Sequence, residues 1–228
     1  MSQRIVLIHA TPLAVAPIND TFKLLWPEVE VSNLLDGALS VDRAKEATLT
    51  PRLYQRIDAL VDYALSIDAA AVLFTCSAFG AAIEASAQGK TLPVLKPNEA
   101  MFEDALGSNE AMFEDALGKG RNIVMLATFG PAVKGMEEEF RELAGARQVD
   151  ATLTSYVVPG ARDALNAGNA HLHNQLIVEA AMQHQHADAI LLAHFSMEIA
   201  YPQVSSAVSC AVLSSPQSAV NKLKRVMN

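Results

Sequence analysis

A chain of 228 residues with 51% hydrophobic and 18% charged side chains can bury one sizeable core or two small lobes, which excludes a disordered polymer. Its formal charge of −8 repels a phosphate backbone, and no Lys/Arg cluster interleaved with aromatics offsets that, so no nucleic acid partner is expected. The apolar run in Met1 to His9 is too short for a signal core or a membrane span, and the two cysteines, Cys76 and Cys210, make no disulfide framework. The expected location is the cytoplasm, with no membrane partner.

Short apolar runs recur along the chain, bounded by turn residues and separated by segments of helical length. They are Arg4–His9, Val29–Leu34, Ala70–Thr75, Leu92–Leu95, Asn122–Ala127, Ala151–Val158, Ala189–Ala193 and Cys210–Leu213. Strands alternating with helices predict an α/β fold with a mainly parallel sheet flanked by helices. Helical periodicity is clear over Pro51–Ser66, Pro131–Ala144 and Ser215–Met227, with Pro51 and Pro216 placed where a helix begins.

Two internal similarities differ in meaning. Residues 97–107 are copied almost unchanged in 108–118, a unit close to three helical turns. Asn98 and Asn109 read as N-caps and Gly107 and Gly118 as helix stops, so one long helix and two short ones are both open. The second similarity is looser. Arg4–Pro12 resembles Asn122–Pro131, Ala71–Ala78 lies in register with Ala189–Ser196, and Leu92–Pro97 parallels Cys210–Pro216. Three matched strand ends in the same order predict two similar lobes, 1–120 and 121–228, with the last strand or helix of the first open to crossing between them and the active site in the cleft between them. In that register Cys76 corresponds to His194.

Ligands of parallel α/β sheets bind beyond the carboxyl ends of the strands. Thr11, Cys76, Ser77, Thr128, His194 and Ser196 all follow predicted strand ends. A cysteine beside a helix N-terminus is expected to have its thiolate favoured. Cys76 is therefore the expected centre of the chemistry, whereas Cys210, in a small apolar stretch, reads as structural.

The Thr-Cys-Ser-Ala-Phe-Gly stretch at 75–80, the Ala-Thr-Phe-Gly-Pro at 127–131, the Leu-Ala-His-Phe-Ser-Met at 192–197 and the doubled layout together resemble the aspartate/glutamate/hydantoin racemase superfamily. That superfamily also includes maleate isomerase and arylmalonate decarboxylase. The resemblance covers essentially the whole chain apart from the extra copy at 108–118. It implies two α/β lobes around a small carboxylate-bearing substrate, no metal or organic cofactor, and, at the level of the family, a homo-oligomer. Cys76 matches the first-lobe cysteine. The second-lobe cysteine is replaced by His194, in Ala193-His194-Phe195-Ser196-Met197.

Racemisation by two bases needs one group to remove the α-proton and another to return it on the opposite face. Cys76 and His194 are the candidates, with Thr11, Pro12, Ser77, Ala78, Thr128, Phe129, Phe195 and Ser196 as the substrate-binding set and the hydroxyls of Ser77, Thr128 and Thr11 as enolate stabilisers. Phe79, Phe129, Phe195 and Met197 are candidate walls. If His194 carries no proton, a lone cysteine suits decarboxylation or cis-trans isomerisation of a small dicarboxylate. Acyl transfer with His194 as the base of Cys76 ranks third, since no residue to orient His194 is identifiable. A binding protein that turns nothing over is the non-enzyme alternative. The pairs His171/His173 and His184/His186 read as solvated helix surface and not as a metal site, and Glu137–Glu139 and Glu103–Asp104 read as helix surface. No Gly-rich fingerprint follows the first strand, so no nucleotide cofactor is implied.

Overall fold

The computed structural model describes residues 3–107 and 121–227. Two four-stranded parallel sheets are present, each flanked by helices. The first holds β1 (Arg4–His9), β2 (Glu30–Leu35), β3 (Ala71–Phe74) and β4 (Val94–Leu95) in the order β2-β1-β3-β4. The second holds β5 (Arg121–Ala127), β6 (Ala151–Val157), β7 (Ala189–Leu192) and β8 (Ala211–Ser214) in the order β6-β5-β7-β8. The sheets also repeat in register. Ile5 stands beside Ala71 as Ile123 stands beside Ala189, and Val72 beside Val94 as Ile190 beside Val212. The inner strands β1, β3, β5 and β7 read as almost unbroken apolar runs because both of their faces are covered.

Helices α1 (Val15–Leu25), α2 (Ala38–Ala44), α3 (Pro51–Ser66), α4 (Gly80–Ala87) and α5 (Glu99–Leu106) belong to the first half of the chain. In the second half are α6 (Val133–Arg147), α7 (Ala161–Asn166), α8 (Ala170–Gln183), α9 (Tyr201–Ala207) and α10 (Ser215–Met227). Most expected segments appear within a residue or two. The expected helix at Pro131 instead opens with a 3-10 turn, Gly130–Ala132, and the expected strand at Leu92 keeps only Val94 and Leu95. As an edge strand, β4 pairs only where β3 runs beside it.

The two halves exchange helices. Helix α5 leaves the first sheet and buries Met101, Phe102, Ala105 and Leu106 in a core shared with Ile123, Met125 and Phe140 of the second half. In return, α10 lays Ala219, Val220 and Leu223 against Ile5, Leu7, Phe22 and Trp26. A buried polar link ties the crossing helices together, Ser215 Oγ donating to Asn98 Oδ1 at 2.7 Å. Asn98 is thus not the side-chain cap its sequence suggested. Its amide faces Met136 Sδ and Ser215, and burial holds it away from the helix-end N–H groups. Around this seam Lys222 pairs with Glu99 and, at 3.0 Å, with Glu103, while Arg147 reaches Glu103 at 3.1 Å.

Two expectations of solvated surface are corrected. His173 is fully buried, with Nδ1 donating to the carbonyl of Ala161 at 2.8 Å, because α8 turns that face onto α7. Glu139 is largely covered and lies 3.0 Å from Lys96, itself paired with Glu84. Gly107 does stop α5, at φ +82°, whereas Asn109, Gly118 and the second copy of the repeat lie outside the described residues.

The exchanged helix carries a test. Phe102 is fully buried, edge-on to Phe140 at 5.6 Å between ring centres. Phe102→Ala should cost about 3–5 kcal/mol, read as a lower urea midpoint with an unchanged denaturant slope.

Candidate functional site

Because every strand is parallel within its sheet, the carboxyl ends of β1, β2, β3, β5, β6 and β7 lead into one cleft. Four inner strands do this through the same device, an extended residue followed by a 3-10 turn. Thr11 precedes Pro12–Ala14, Cys76 precedes Ser77–Phe79, Phe129 precedes Gly130–Ala132 and His194 precedes Phe195–Ala200. The first turns of α2 and α7, which follow β2 and β6, add Ser40 and Arg162. Gly160, at φ +73°, turns the chain from β6 into α7 in a left-handed conformation that a side chain would strain, and so sets the position of Arg162 two residues on.

The cleft is lined by Thr11, Cys76, Thr128, Phe129, His194, Phe195 and Ser196 of the expected set. It joins residues far apart in the chain from both halves. Its volume is about 50 Å³, on a scale where one water needs roughly 10–15 Å³, so only a small ligand fits. Three expected residues lie elsewhere. Pro12 is exposed as the first residue of its turn, and Ser77 and Ala78 line a separate cavity of about 500 Å³ behind the Ser77–Phe79 turn. Ala78 still touches Cys76 through its backbone, since its N–H reaches the Cys76 sulfur, while its carbonyl accepts from Arg43 Nε at 3.2 Å. Of the candidate walls, Phe129 and Phe195 border the cleft, whereas Phe79 and Met197 are core residues.

Burial pushes the Cys76 thiol up, and this outweighs the Ala78 N–H, Arg162 and Arg43, which each favour the thiolate. This corrects the expectation of a favoured thiolate. Helix α4 begins only at Gly80, so the helix end is too far along the chain to overcome the loss of water. At rest Cys76 is a thiol.

His194 has a fixed tautomer. The backbone N–H of Thr128 can only donate, and it donates to His194 Nδ1 at 3.0 Å, with the Thr128 hydroxyl at 3.3 Å. Nδ1 is therefore the acceptor and the neutral ring carries its proton on Nε2, which is buried without a partner. Burial first, and Arg162 second, bring its pKa down to about 4. At neutral pH His194 is an uncharged N–H donor and has no free lone pair to serve Cys76 as a base.

Arg162 is a site residue that the sequence reading missed. Its guanidinium lies over the Phe129 ring, 4.2 Å from the centre, and it acts electrostatically on both Cys76 and His194. The signal was present, since Arg162 also follows a strand end. A second omission lies behind Cys76. His9 is buried, with Nδ1 2.9 Å from Thr75 Oγ1 and Nε2 2.9 Å from Asn33 Oδ1. The second half has Ala127 and Ala193 at the matching positions. Among the described residues no cluster of three or more His, Cys, Asp or Glu is placed to hold a metal ion, and no helix is long and apolar enough to cross a membrane.

No family model matches the chain, and no curated protein matches it. Solved structures do. Aspartate racemase of Picrophilus torridus superposes with a TM-score of 0.71 at 13% identity, covering 99% of this chain and 94% of that one. Allantoin racemase of Pseudomonas fluorescens gives 0.65 at 20% identity over 99% and 91%. Glutamate racemase of Francisella tularensis, in complex with D-glutamate, gives 0.70 at 12% identity over 99% and 81%. The fold is that of the aspartate, glutamate and allantoin racemases. The two-lobed α/β architecture expected from the doubled sequence is thus matched at full length.

The state of His194 sets a pH dependence. Its folded pKa of about 4 lies below the ordinary 6.5, so the unfolded chain takes up the proton first as pH falls. The stability it contributes is complete above 6.5 and lost as pH drops toward 4. His9, also lowered by burial, adds in the same direction. Thermal unfolding should show Tm falling through this window, and His194→Asn should flatten part of the slope. Ring ¹⁵N shifts at about pH 6 should report a neutral Nε2–H tautomer, and a ring titrating near its ordinary value would contradict the assignment.

Proposed function

We propose that this chain is a racemase-type isomerase, moving a proton at the α-carbon of a small carboxylate or amide-bearing compound with Cys76 as the acid/base. The observation that carries the reading is the pairing of Cys76 and His194 at matching strand ends on one small cleft. The racemase fold supports it independently.

In this reading Arg162, seated over the Phe129 ring, takes an anionic end of the substrate. The Cys76 thiol ionises as the ligand arrives, helped by the Ala78 N–H and the two guanidinium charges, and the thiolate removes the α-proton. The electron pair moves onto the adjacent carbonyl oxygen, giving an enolate. The Nε2–H of His194 and the hydroxyls of Thr128 and Thr11 are the nearby donors for that oxygen. The proton that Cys76 releases on binding passes to solvent; delivery of the Nε2–H proton of His194 to the opposite face, with solvent reprotonating the ring in the same event, inverts the carbon and leaves Cys76 as a thiol and His194 again neutral. Every step runs through side chains and backbone of the chain itself, so the reading calls for no cofactor.

A second reading rests on the fixed tautomer of His194. If its Nε2–H only donates a hydrogen bond and never leaves, Cys76 is the sole acid/base and returns the proton to the face it came from. That suits single-cysteine decarboxylation or cis-trans isomerisation. The same tautomer argues against acyl transfer, which needs His194 Nε2 as an acceptor.

Incubation in deuterated water with small amino acids, N-carbamoyl amino acids, hydantoins, malonates and maleate tests these readings. Racemisation with deuterium at the α-carbon is expected for at least one compound. It should fall by about 10³-fold or more in Cys76→Ala and by about 10²–10³-fold in His194→Phe, which removes a donor. Exchange with retention would favour the single-cysteine reading, and exchange indifferent to Cys76 would sink both.

A further inference from the structure

The charge in the cleft is one-sided. Among its described lining residues Arg162 is the single ionised side chain at neutral pH; the others present hydroxyl, thiol, imidazole or apolar groups, and none is a carboxylate. Nearby acids are engaged or turned away. Asp36 and Asp42 hold Arg56 at 2.6 and 2.7 Å, Glu198 accepts from Gln217 at 2.6 Å, and Asp163, next to Arg162, is exposed. Among the described residues Arg162 takes part in no ion pair and rests on Phe129, free to meet an anion.

An α-ammonium placed between Cys76 and His194 would give up its water and find no carboxylate among the described lining residues and only an uncharged thiol in the resting protein, and a buried unpaired charge is among the costliest groups a protein can hold. The imidazole of His194 already samples a cation at this spot, and its protonated form is suppressed by burial and by Arg162. Chemistry points the same way. Without an ammonium to acidify it, an α-C–H needs a neutral carbonyl beside it, because a carboxylate would have to become a dianionic enediolate. A neutral Nε2–H donor suits a neutral carbonyl oxygen turning into an enolate.

We infer that the substrate of this cleft carries no ammonium group: it is an α-C–H acid whose nitrogen is acylated or part of a ureide, with at most one anionic group, held by Arg162. The inference deepens the racemase reading and rests on it for the identity of the reacting carbon. Thr11, Ser40, Thr128 and Ser196 supply donors and acceptors for an uncharged amide or ureide, which an ammonium, having no acceptor, would leave half unused.

The test is binding to Cys76→Ala, which holds ligand without turnover. Calorimetry compares N-carbamoyl-alanine and 5-methylhydantoin with alanine; alanine and its N-carbamoyl derivative share the carboxylate and differ in the charge of the nitrogen. At least one of the two ureides should bind about tenfold tighter than alanine or better, a gap of roughly 1.4 kcal/mol. Placing a carboxylate in the cleft with Ser40→Asp in the same background should shift that ratio toward alanine by about tenfold or more. Equal or tighter binding of alanine, saturation by none of the three, or a ratio unmoved by Ser40→Asp overturns the inference. Racemisation of free amino acids with tight alanine binding would overturn it and leave the racemase reading standing. Selective ureide binding without proton exchange would do the reverse.

Discussion

Parallel pairing of β3 beside β1, and of β7 beside β5, places Thr11, Cys76, Thr128 and His194 at the cleft. In each sheet the inner strands end level with one another, so the residues just beyond Phe74 and Leu192 emerge at the same height beside those beyond Ile8 and Leu126. A slip of one residue in either pairing would turn Cys76 or His194 into its core and bring Thr75 or Ala193 forward. Packing prevents that slip, because Val72, Leu73, Ile190 and Leu191 are fully buried between layers on both faces and another register would misfit the side chains packed there. The energy that fixes the cleft is therefore hydrophobic and lies away from it.

A cleft between two lobes also needs the lobes held in relation to one another. The exchange of α5 and α10 does this, because each half completes its core with a helix from the other. Separating the halves would expose Phe102 and Leu106 on one side and Val220 and Leu223 on the other. The Ser215 to Asn98 hydrogen bond and the Lys222, Glu99 and Glu103 ion pairs fall on the same seam. Hydrogen bonds buried at such a seam select a single docking geometry more than they add stability.

On this symmetric frame the two faces of the cleft are chemically unlike. Behind Cys76 stands a polar chain through Thr75, His9 and Asn33, where the second half has Ala193, Ala127 and Ser155. Across from it, His194 is held by Thr128 as a neutral donor. Arg162 biases both faces in the same sense, favouring thiolate on one side and opposing imidazolium on the other. The asymmetry has a common origin in the removal of water, which raises the thiol, lowers the imidazole and leaves the Arg162 guanidinium as the ionised group among the described lining residues.

Much of this was legible in the chain. The bounds of β1, α3 and α10, the doubled layout and the matching of Cys76 with His194 follow from runs of apolar residues and their spacing, since burial demands those patterns. Local pattern has no means of reporting what lies across a fold. His173 and Glu139 look solvated because their sequence neighbours are polar, and only the packing of α8 on α7 and the approach of Lys96 cover them. Asn98 reads as a cap until Ser215, distant in the chain, claims its amide. Sequence by itself determined which residues stand at the strand ends, because that depends on the period of the core. Tertiary structure decided which of them share a cleft, which nitrogen of His194 carries the proton, and that Arg162 joins them, because these depend on distances set by the two lobes closing on each other.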